Sequence, residues 1–380
     1  MKLLEDIMVL DFSQFLSGPS AALRLADMGA QVIKIERPGV GDICRELYVS
    51  DTMLEGESTI FHAINRNKQS YSADLKNNSD LKKVKELITR ADIMMHNFRP
   101  GVMERIGLDY ATVKKINPTI IYAEISGYGE EGPWRDLPGQ DLLVQAVSGL
   151  TWLSNSTDEP TPMGVAIVDI LAGTHLTQGI LAALYQRSIK NEGALVQVSM
   201  LESILDFQFE VLTSFYNDGN EVPQRSKINN GHAYIAAPYG IYKTADGYLA
   251  LSMGNIIVLA GLLNCEPLKK FTNPADWFTE RDPIKKILAL CLEKQTTDYW
   301  MTVLEPADIW CARVLDYDMM MKEKGYQSLN MELNVKTSNG VSVKTTRCPI
   351  RIDGELLISE KGAPLLGEHN LEIEKQFGLI

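Results

Sequence analysis

Several cationic side chains in the first third of the chain could together bind an anion. Arginine and lysine suit phosphate by their charge, and arginine also by the planar fork of its donors. Solvated surface charges are the alternative interpretation, because exposed cations usually hold no ligand. Several of these cations follow apparent strands, and they are Arg37, Arg45, Arg66, Lys68, Lys76, Arg99 and Arg105.

A second candidate is the acidic residue that precedes a long apolar run. Asp169 comes directly before the Ala- and Gly-containing segment 170–185, which has the composition of a helix. A side chain in this place can accept hydrogen bonds from the free N–H groups of the first turn, so the residues alone favour an N-cap. A carboxylate can also act as a nucleophile towards an activated acyl group.

Dinucleotide and metal sites lack their usual signatures. The loop 13–19 holds one glycine where a dinucleotide fingerprint needs GxGxxG, which disfavours an NAD dehydrogenase although Glu36 ends the second strand. The five cysteines have no CxxC spacing, and we expect reduced thiols rather than a disulfide framework. The histidines are isolated and have no metal-ligand spacing; they are His62, His96, His175, His232 and His369.

Strands and helices must alternate in the first half to position these groups. Short apolar runs at 7–12 and 31–35 flank a helical pattern at 19–28, which predicts a βαβ unit. The pattern recurs with helices at 79–89 and 101–115 and strands at 91–95, 119–125 and 195–198. These elements predict a parallel sheet covered by helices, with ligands at the carboxyl ends of the strands.

The chain is long enough for two lobes, with 380 residues and 45% hydrophobic content. After residue 224 a hairpin is predicted at 232–253, followed by helices at 283–293 and 297–304, which indicates a smaller second domain of two strands and several helices. The net charge of −12 argues against nucleic-acid or anionic-membrane binding. An acidic start and the lack of a long apolar run lead us to expect a cytoplasmic protein.

Short strings spread in order along the whole chain resemble the family III CoA-transferases, the group of formyl-CoA transferase and carnitine CoA-transferase. They include the opening segment 18–42, Asn65-Arg66-Asn67-Lys68, Asn97-Phe98-Arg99-Pro100-Gly101, Ser126-Gly127-Tyr128-Gly129, Ala237-Pro238-Tyr239-Gly240 and Ala363-Pro364-Leu365-Leu366-Gly367-Glu368-His369. Each string is weak evidence alone, but their colinear order is strong.

The resemblance implies an α/β fold with a Rossmann-like large domain, an inserted smaller α+β domain, and a homodimer whose chains interlock like linked rings. For this chain it implies a large CoA-binding domain at 1–200 plus 330–380, a linker at 201–224 and a small domain at 225–325. The active site of such a dimer would lie between subunits.

The resemblance also implies a CoA-transferase in which Asp169 matches the family's nucleophile. Its carboxylate would attack an acyl-CoA thioester to give a mixed anhydride, and the CoA thiolate would return to form an aspartyl-CoA thioester. A free carboxylic acid of small or medium size would then take the CoA, with no metal and no permanently bound cofactor. The helix N-terminus is expected to favour the ionised carboxylate.

CoA contacts are likewise implied by positions that match the family. The loop Gln14, Phe15, Leu16 and Ser17 would follow the CoA, cations would meet its phosphates, and other residues would line the cleft. The cations are Arg37, Lys76 and Arg105, and the lining residues are Ala73, Asn97, Phe98, Ile106 and Met200.

Two departures from the family pattern bear on specificity. The segment 252–255 holds one glycine where formyl-CoA transferase has a glycine-run loop over the aspartate, which leaves the acids open. Gln140 stands where α-methylacyl-CoA racemases have a histidine, and an amide cannot transfer a proton at neutral pH. A racemase-like epimerase is thus only an alternative, because Gln140 disfavours it. A non-catalytic CoA-binding dimer, which would not need Asp169, is another alternative.

Overall fold

The computed structural model describes residues 3–47, 52–54, 56–156 and 158–379. The strands are β1 (Met8–Asp11), β2 (Gln31–Glu36), β3 (Met53–Leu54), β4 (Glu57–Ser58), β5 (Gln69–Ser72), β6 (Ile93–His96), β7 (Ile121–Ser126), β8 (Ala194–Ser199), β9 (Gly240–Lys243), β10 (Tyr248–Leu251), β11 (Cys311–Arg313), β12 (Glu332–Lys336), β13 (Ser342–Thr346), β14 (Arg351–Ile352) and β15 (Glu355–Leu356).

The α-helices are α1 (Ser17–Asp27), α2 (Thr59–Asn65), α3 (Asn78–Ile88), α4 (Val102–Ile106), α5 (Tyr110–Ile116), α6 (Asp141–Val147), α7 (Ile167–Lys190), α8 (Met200–Phe207), α9 (Phe209–Asn217), α10 (Ile256–Leu262), α11 (Asp276–Thr279), α12 (Arg281–Leu292), α13 (Thr297–Leu304), α14 (Tyr317–Lys322), α15 (Lys324–Ser328) and α16 (Asn370–Phe377).

A six-stranded sheet forms the centre of the first part of the described chain. Its strand order is β5-β2-β1-β6-β7-β8, and every neighbouring pair is parallel. β1 and β6 are buried at every residue, as expected for parallel strands with helices on both faces. The predicted α/β fold with a parallel sheet is confirmed.

The strand order decides where a ligand can bind. The chain builds outward from β1 through β2 to β5, and then returns to the other side of β1 as β6, β7 and β8. The loops that follow β1 and β6 therefore diverge at the carboxyl edge of the sheet. A crevice at such a switch point is where open α/β sheets bind their ligands.

Helix α7 runs along this sheet and packs closely on α1. Its buried positions include Val168, Ala172, Gly173 and Leu176, which recur at helical spacing. By length and hydropathy alone α7 would also qualify as a membrane span, a test that core helices of soluble proteins pass as well. Its contacts with α1 and with β7 and β8 are those of a core helix.

The described chain divides into two compact units. The first comprises residues 1–144, 166–204 and 329–380, and the second comprises residues 145–165 and 205–328. These units differ from the predicted domains in two places. Residues 145–165, predicted in the large domain, group with the second unit, and the predicted linker 201–224 contains α8 and α9.

The second unit contains the predicted hairpin and helices with one further strand. β9, β10 and β11 form an antiparallel sheet, whereas two strands were predicted. β11 has three residues, too few to show a period of two. The buried side chains of α10, α12 and α13 form one apolar core with this sheet.

One expectation about the cysteines is wrong. Cys265 and Cys291 form a disulfide within the core of the second unit, while Cys44, Cys311 and Cys348 are free thiols. The pair is separated by 26 residues and has no motif spacing. α12 packs against the turn 266–268 that directly follows Cys265, which brings the two thiols together, and a spacing rule does not detect such a contact.

Candidate active site

The side-chain amide of Asn97, the residue after β6, holds the loop that follows β1. Asn97 Oδ1 accepts the Gln14 N–H at 2.8 Å, and Asn97 Nδ2 donates to the Gln14 carbonyl at 2.7 Å and to Ser17 Oγ at 3.2 Å. Phe15 between them has a φ of 61°, a strained conformation for an aromatic residue, and its N–H donates to Asp42 at 3.1 Å. These hydrogen bonds therefore fix the loop after β1 to the segment after β6 across the switch point.

Buried ion pairs support this loop from below. Lys34 Nζ donates to the Ser13 carbonyl at 2.7 Å and lies 2.8 Å from an oxygen of Asp42. Lys68 Nζ donates to Asp11 at 3.0 Å, and all these charged groups are buried. Each charge is paired, as a buried charge must be.

The structure separates the cations of the sequence analysis into two groups. Arg45, Arg66 and Lys68 are buried and pair with Glu36, Asp27 and Asp11, so their roles are structural. The second group is exposed and forms no ion pair with the described residues; its members are Arg37, Lys76, Arg99 and Arg105. Only this second group is available to a phosphate.

Asp169 lies in the first turn of α7, half-buried, rather than at its N-cap. The helix begins at Ile167, two residues earlier than expected, with Ala166 as the N-cap residue. The N–H groups of Val168 and Asp169 both donate to Asp141 Oδ2, at 2.8 and 3.1 Å. Because Asp141 caps the helix, the carboxylate of Asp169 is not needed for capping and can serve another purpose.

The environment of Asp169 raises its pKa to about 6. Burial is the main cause, and the nearby charge of Asp141 adds to it, whereas hydrogen bonds from the hydroxyl and the N–H of Ser17 act in the opposite direction. The helix N-terminus was expected to favour the ionised carboxylate, but burial and the charge of Asp141 shift the pKa in the opposite direction. At neutral pH about nine-tenths of the carboxylate is still ionised.

A glycine allows α1 to bring Ser17 to this carboxylate. Gly173 follows Asp169 by one helical turn, and a Cβ atom there would lie 2.6 Å from the Ser17 carbonyl oxygen and 2.3 Å from Ser20 Oγ. The two helices could not approach as closely with any larger side chain. The contact between Ser17 and Asp169 thus depends on Gly173.

A second pair of glycines brings in Asp141. Gly127 follows β7 and lies against Gly139, so that a Cβ on either residue would come within 2.7 Å of the other's Cα. This backbone contact holds the loop that ends at α6 beside the carboxyl end of β7. Asp141, two residues after Gly139, reaches the first turn of α7 for this reason.

The residues expected to bind CoA all follow strands at the same edge of the sheet or lie on the short helices that come after those strands. Arg37 follows β2, Ala73 and Lys76 follow β5, Asn97 and Phe98 follow β6, Arg105 and Ile106 end α4, and Met200 follows β8. Phe15 and the three cations are exposed, and Gln14, Leu16, Asn97, Phe98 and Ile106 are half-buried. Ser17, Ala73 and Met200 are buried. Ala73 and Met200 therefore contribute mainly to packing, whereas Ser17 interacts with Asp169.

A cavity of about 410 Å³ opens beside Phe98 and Arg99. Four carboxylates line it, and the pKa of Glu130 there is raised by burial and by the nearby charge of Glu124. Arg99 also lines this cavity, but the carboxylates outnumber it, whereas Arg37, Lys76 and Arg105 lie outside the lining. Its carboxylates are Glu104, Asp109, Glu124 and Glu130.

Sequence reasoning identified Asp169 and the strand-end loops but missed three features of the site. These are the capping role of Asp141, the close approach at Gly173, and the amide bridge of Asn97. The spacing of Gly173 one turn after Asp169 was a usable signal for close helix packing. Within the described residues, no cluster of His, Cys, Asp and Glu could hold a metal ion.

Comparison with known proteins gives consistent results. A model of CoA-transferase family III matches residues 4–370. The chain is 32% identical over 386 aligned positions to acetyl-CoA:oxalate CoA-transferase of Acetobacter aceti, covering 98% of this chain and 95% of that one. It is also 32% identical to succinyl-CoA:glutarate CoA-transferase of Mus musculus, covering 99% and 86%. A CAIB/BAIF family protein from Brucella suis has the same fold, with a TM-score of 0.84, 26% identity and 98% coverage of both chains.

Proposed function

This chain is a member of CoA-transferase family III, and on that basis we propose that Asp169 carries the acyl group and then the CoA as covalent intermediates. The observation that supports this most directly is a half-buried carboxylate that does not cap its helix and that lies beside Ser17, the first residue of α1 after the switch-point strand β1. The carboxylate's pKa of about 6 leaves it mostly ionised at neutral pH, and its burial removes part of its hydration. Both properties suit a nucleophile.

The reaction divides into exchanges between activated acyl groups. Asp169 attacks the thioester carbonyl of the donor, a C–O bond forms, and the CoA thiolate leaves. The thiolate then attacks the side-chain carbonyl of Asp169 and expels the donor's carboxylate, which leaves an aspartyl-CoA thioester. The acceptor carboxylate attacks this thioester, and the released thiolate opens the new anhydride to give the product acyl-CoA and free Asp169.

The exposed cations at the sheet edge are proposed to bind the phosphates of CoA. Arg37, Lys76 and Arg105 follow β2, β5 and β6 along that edge and have no ion pair among the described residues. A phosphate therefore does not have to displace an existing partner. The loop Gln14 to Ser17 with Asn97 would follow the pantetheine towards Asp169.

Dicarboxylic acids are the acceptor class that we propose. The Acetobacter and mouse relatives are named for oxalate and glutarate, and a further relative from Haloarcula hispanica, 35% identical over 259 residues, is named for mesaconate. These three acids carry two carboxylates, and one would react while the other is held by a cation. A panel of donor acyl-CoAs against mono- and dicarboxylic acids, followed by mass spectrometry of the CoA products, identifies the pair.

A homodimer is proposed because large apolar side chains stand exposed on α6 and α7 of the first unit. They include Leu142 (54% exposed), Leu143 (41%), Ile170 (45%), Tyr185 (72%) and Ile189 (66%). Exposed apolar surface of this extent is typical of an interface. Light scattering should give twice the 42.4 kDa chain mass, and two tagged forms mixed after purification should not exchange chains if the rings interlock.

Trapping tests the covalent mechanism. Incubation with acyl-CoA and hydroxylamine should convert Asp169 to a hydroxamate that peptide mass spectrometry locates, and the matched variant Asp169→Asn should show no adduct while still binding CoA. Exchange at the wild-type rate by Asp169→Asn would contradict the mechanism. Uptake of solvent deuterium at the substrate α-carbon would indicate a racemase instead, and CoA binding without any turnover would indicate a non-catalytic binding protein.

A further inference from the structure

Ser17 is the residue that contacts the carboxylate of Asp169 with two donors. Hydrogen bonds from its hydroxyl and its N–H act to lower the pKa of that carboxylate, and Gly173, one turn after Asp169, lets the backbone of Ser17 pack directly against α7. The side chain is 3% exposed, so water does not compete for these bonds. Asn97 Nδ2 donates to Ser17 Oγ at 3.2 Å, which occupies a lone pair of the hydroxyl and leaves its single proton for Asp169.

We propose that the Ser17 hydroxyl is a catalytic donor that stabilises the oxyanion formed on the side chain of Asp169, an inference that rests on the proposed function. When the thiolate attacks Cγ of acylated Asp169, a C–S bond forms and the electron pair of the carbonyl moves onto its oxygen. When that oxyanion collapses, the C–O bond to the donor's acyl group breaks and the carboxylate leaves with the bonding pair. Attack by the acceptor carboxylate on the aspartyl-CoA thioester passes through the same oxyanion, and the thiolate leaves.

The hydroxyl and the N–H of Ser17 already face the carboxylate of Asp169 before the reaction begins. The loop that carries them is held by Asn97 on one side and by Asp42 on the other. Ser17 is also the first residue of α1, so its N–H is one of the unpaired donors of a helix terminus. Fixed donors that need no reorganisation are the arrangement that stabilises a developing oxyanion most.

The proposal predicts which steps depend on the hydroxyl. Attack on the donor thioester develops charge on the substrate's own oxygen, so the hydroxyl affects that step only by keeping Asp169 ionised. The two steps at the aspartyl carbonyl develop charge on Asp169 itself. These two steps should slow when the hydroxyl is removed, even at a pH where Asp169 is fully ionised.

Single-turnover kinetics of Ser17→Ala test this prediction. The aspartyl-CoA form of each enzyme is isolated, mixed with acceptor acid at pH 8, two units above the pKa of Asp169, and followed by intact mass. Ser17→Ala should consume the adduct about 100-fold more slowly than wild type. Ser17→Thr, which restores a hydroxyl, should recover much of the rate, and the acid limb of the Ser17→Ala pH profile should move above pH 6.

Ser20→Ala is the matched control. It removes a hydroxyl one turn further along α1, where Ser20 Oγ donates at 2.8 Å to the carbonyl of Ser17 and not to Asp169. Ser20→Ala should react at the wild-type rate. The inference is overturned if Ser17→Ala consumes its adduct within about twofold of wild type at pH 8, or if its defect is present only below pH 6. A wild-type enzyme without any Asp169 adduct overturns the covalent mechanism itself, and this inference with it.

Discussion

Replacing Gly173 by alanine should separate Ser17 from Asp169. A Cβ at residue 173 would lie 2.6 Å from the Ser17 carbonyl oxygen, a backbone atom that cannot rotate away. The two helices must move apart by about 0.8 Å to restore ordinary contact at 3.4 Å. Overpacking of this kind costs about 1–3 kcal/mol, of which better helix propensity returns about 1 kcal/mol.

The effect on turnover should exceed the effect on stability. A displacement near 1 Å in a catalytic contact can cost about 100-fold in rate, so kcat of Gly173→Ala should fall by about that factor. Unfolding in denaturant should show a loss of at most about 2 kcal/mol in the free energy of unfolding. Both quantities are measured on the same preparation, with kcat from acyl-CoA exchange and stability from denaturant unfolding.

Gly261→Ala provides the control for a helical glycine with free space around it. Nothing lies within 4 Å of a Cβ at that position in α10, so this variant should gain about 0.5–1 kcal/mol and retain its kcat. The packing argument would be refuted if Gly173→Ala were as active and as stabilised as Gly261→Ala. A large stability loss with unchanged kcat would contradict the link between this contact and the chemistry.

Three further predictions concern charge. The contribution of Asp169 to the free energy of unfolding falls as pH rises between about 4 and 6, because its pKa is 3.8 in the unfolded chain and about 6 in the folded state. Asp169→Asn should therefore be up to about 3 kcal/mol more stable than wild type at pH 7. Urea titrations should show this difference shrinking as the pH falls below 6. Asp141→Asn keeps an acceptor for the first turn of α7 but removes a negative charge, so the acid limb of kcat/KM should move below pH 6, and an upward or absent movement in the pH–rate profile would contradict this. Arg105→Ala should raise the KM for acyl-CoA about 10-fold and weaken the salt dependence of that KM in steady-state assays. The control is Arg90→Ala, which removes an exposed cation before β6 at the opposite edge of the sheet and should leave the KM and its salt dependence unchanged.

The parallel sheet and the edge that carries the candidate site were predictable from sequence. Buried strands such as β1 and β6 are apolar runs bounded by turn residues, and that pattern is local. Since ligands of such sheets bind beyond the carboxyl ends of strands, the loops after β1 and β6 followed directly. Asp169 also stood out, because it opens a long apolar segment.

The partners of that aspartate were not predictable in the same way. Asp141, Ser17 and Asn97 are separated from Asp169 by many residues, and each is an ordinary polar residue in its own local context. The disulfide between Cys265 and Cys291 was missed for the same reason, since no spacing rule covers a turn after α10 that packs against α12. The short strand β11 was missed because pairing with β10, not its own three residues, makes it a strand.

The amino-acid sequence by itself determined the parallel sheet of the first unit and the direction of its strands, because hydrophobic periodicity is a property of neighbouring residues. The reactive role of Asp169 was implied by the resemblance to a known family, since the residues alone favoured an N-cap. Only the tertiary structure decided how reactive that group is. The pKa of Asp169 depends on burial, on the charge of Asp141 and on two hydrogen bonds from Ser17. Those contacts exist because Gly173 and the Gly127–Gly139 pair let distant backbones touch, and such close approach is a property of packed helices and loops rather than of any single segment.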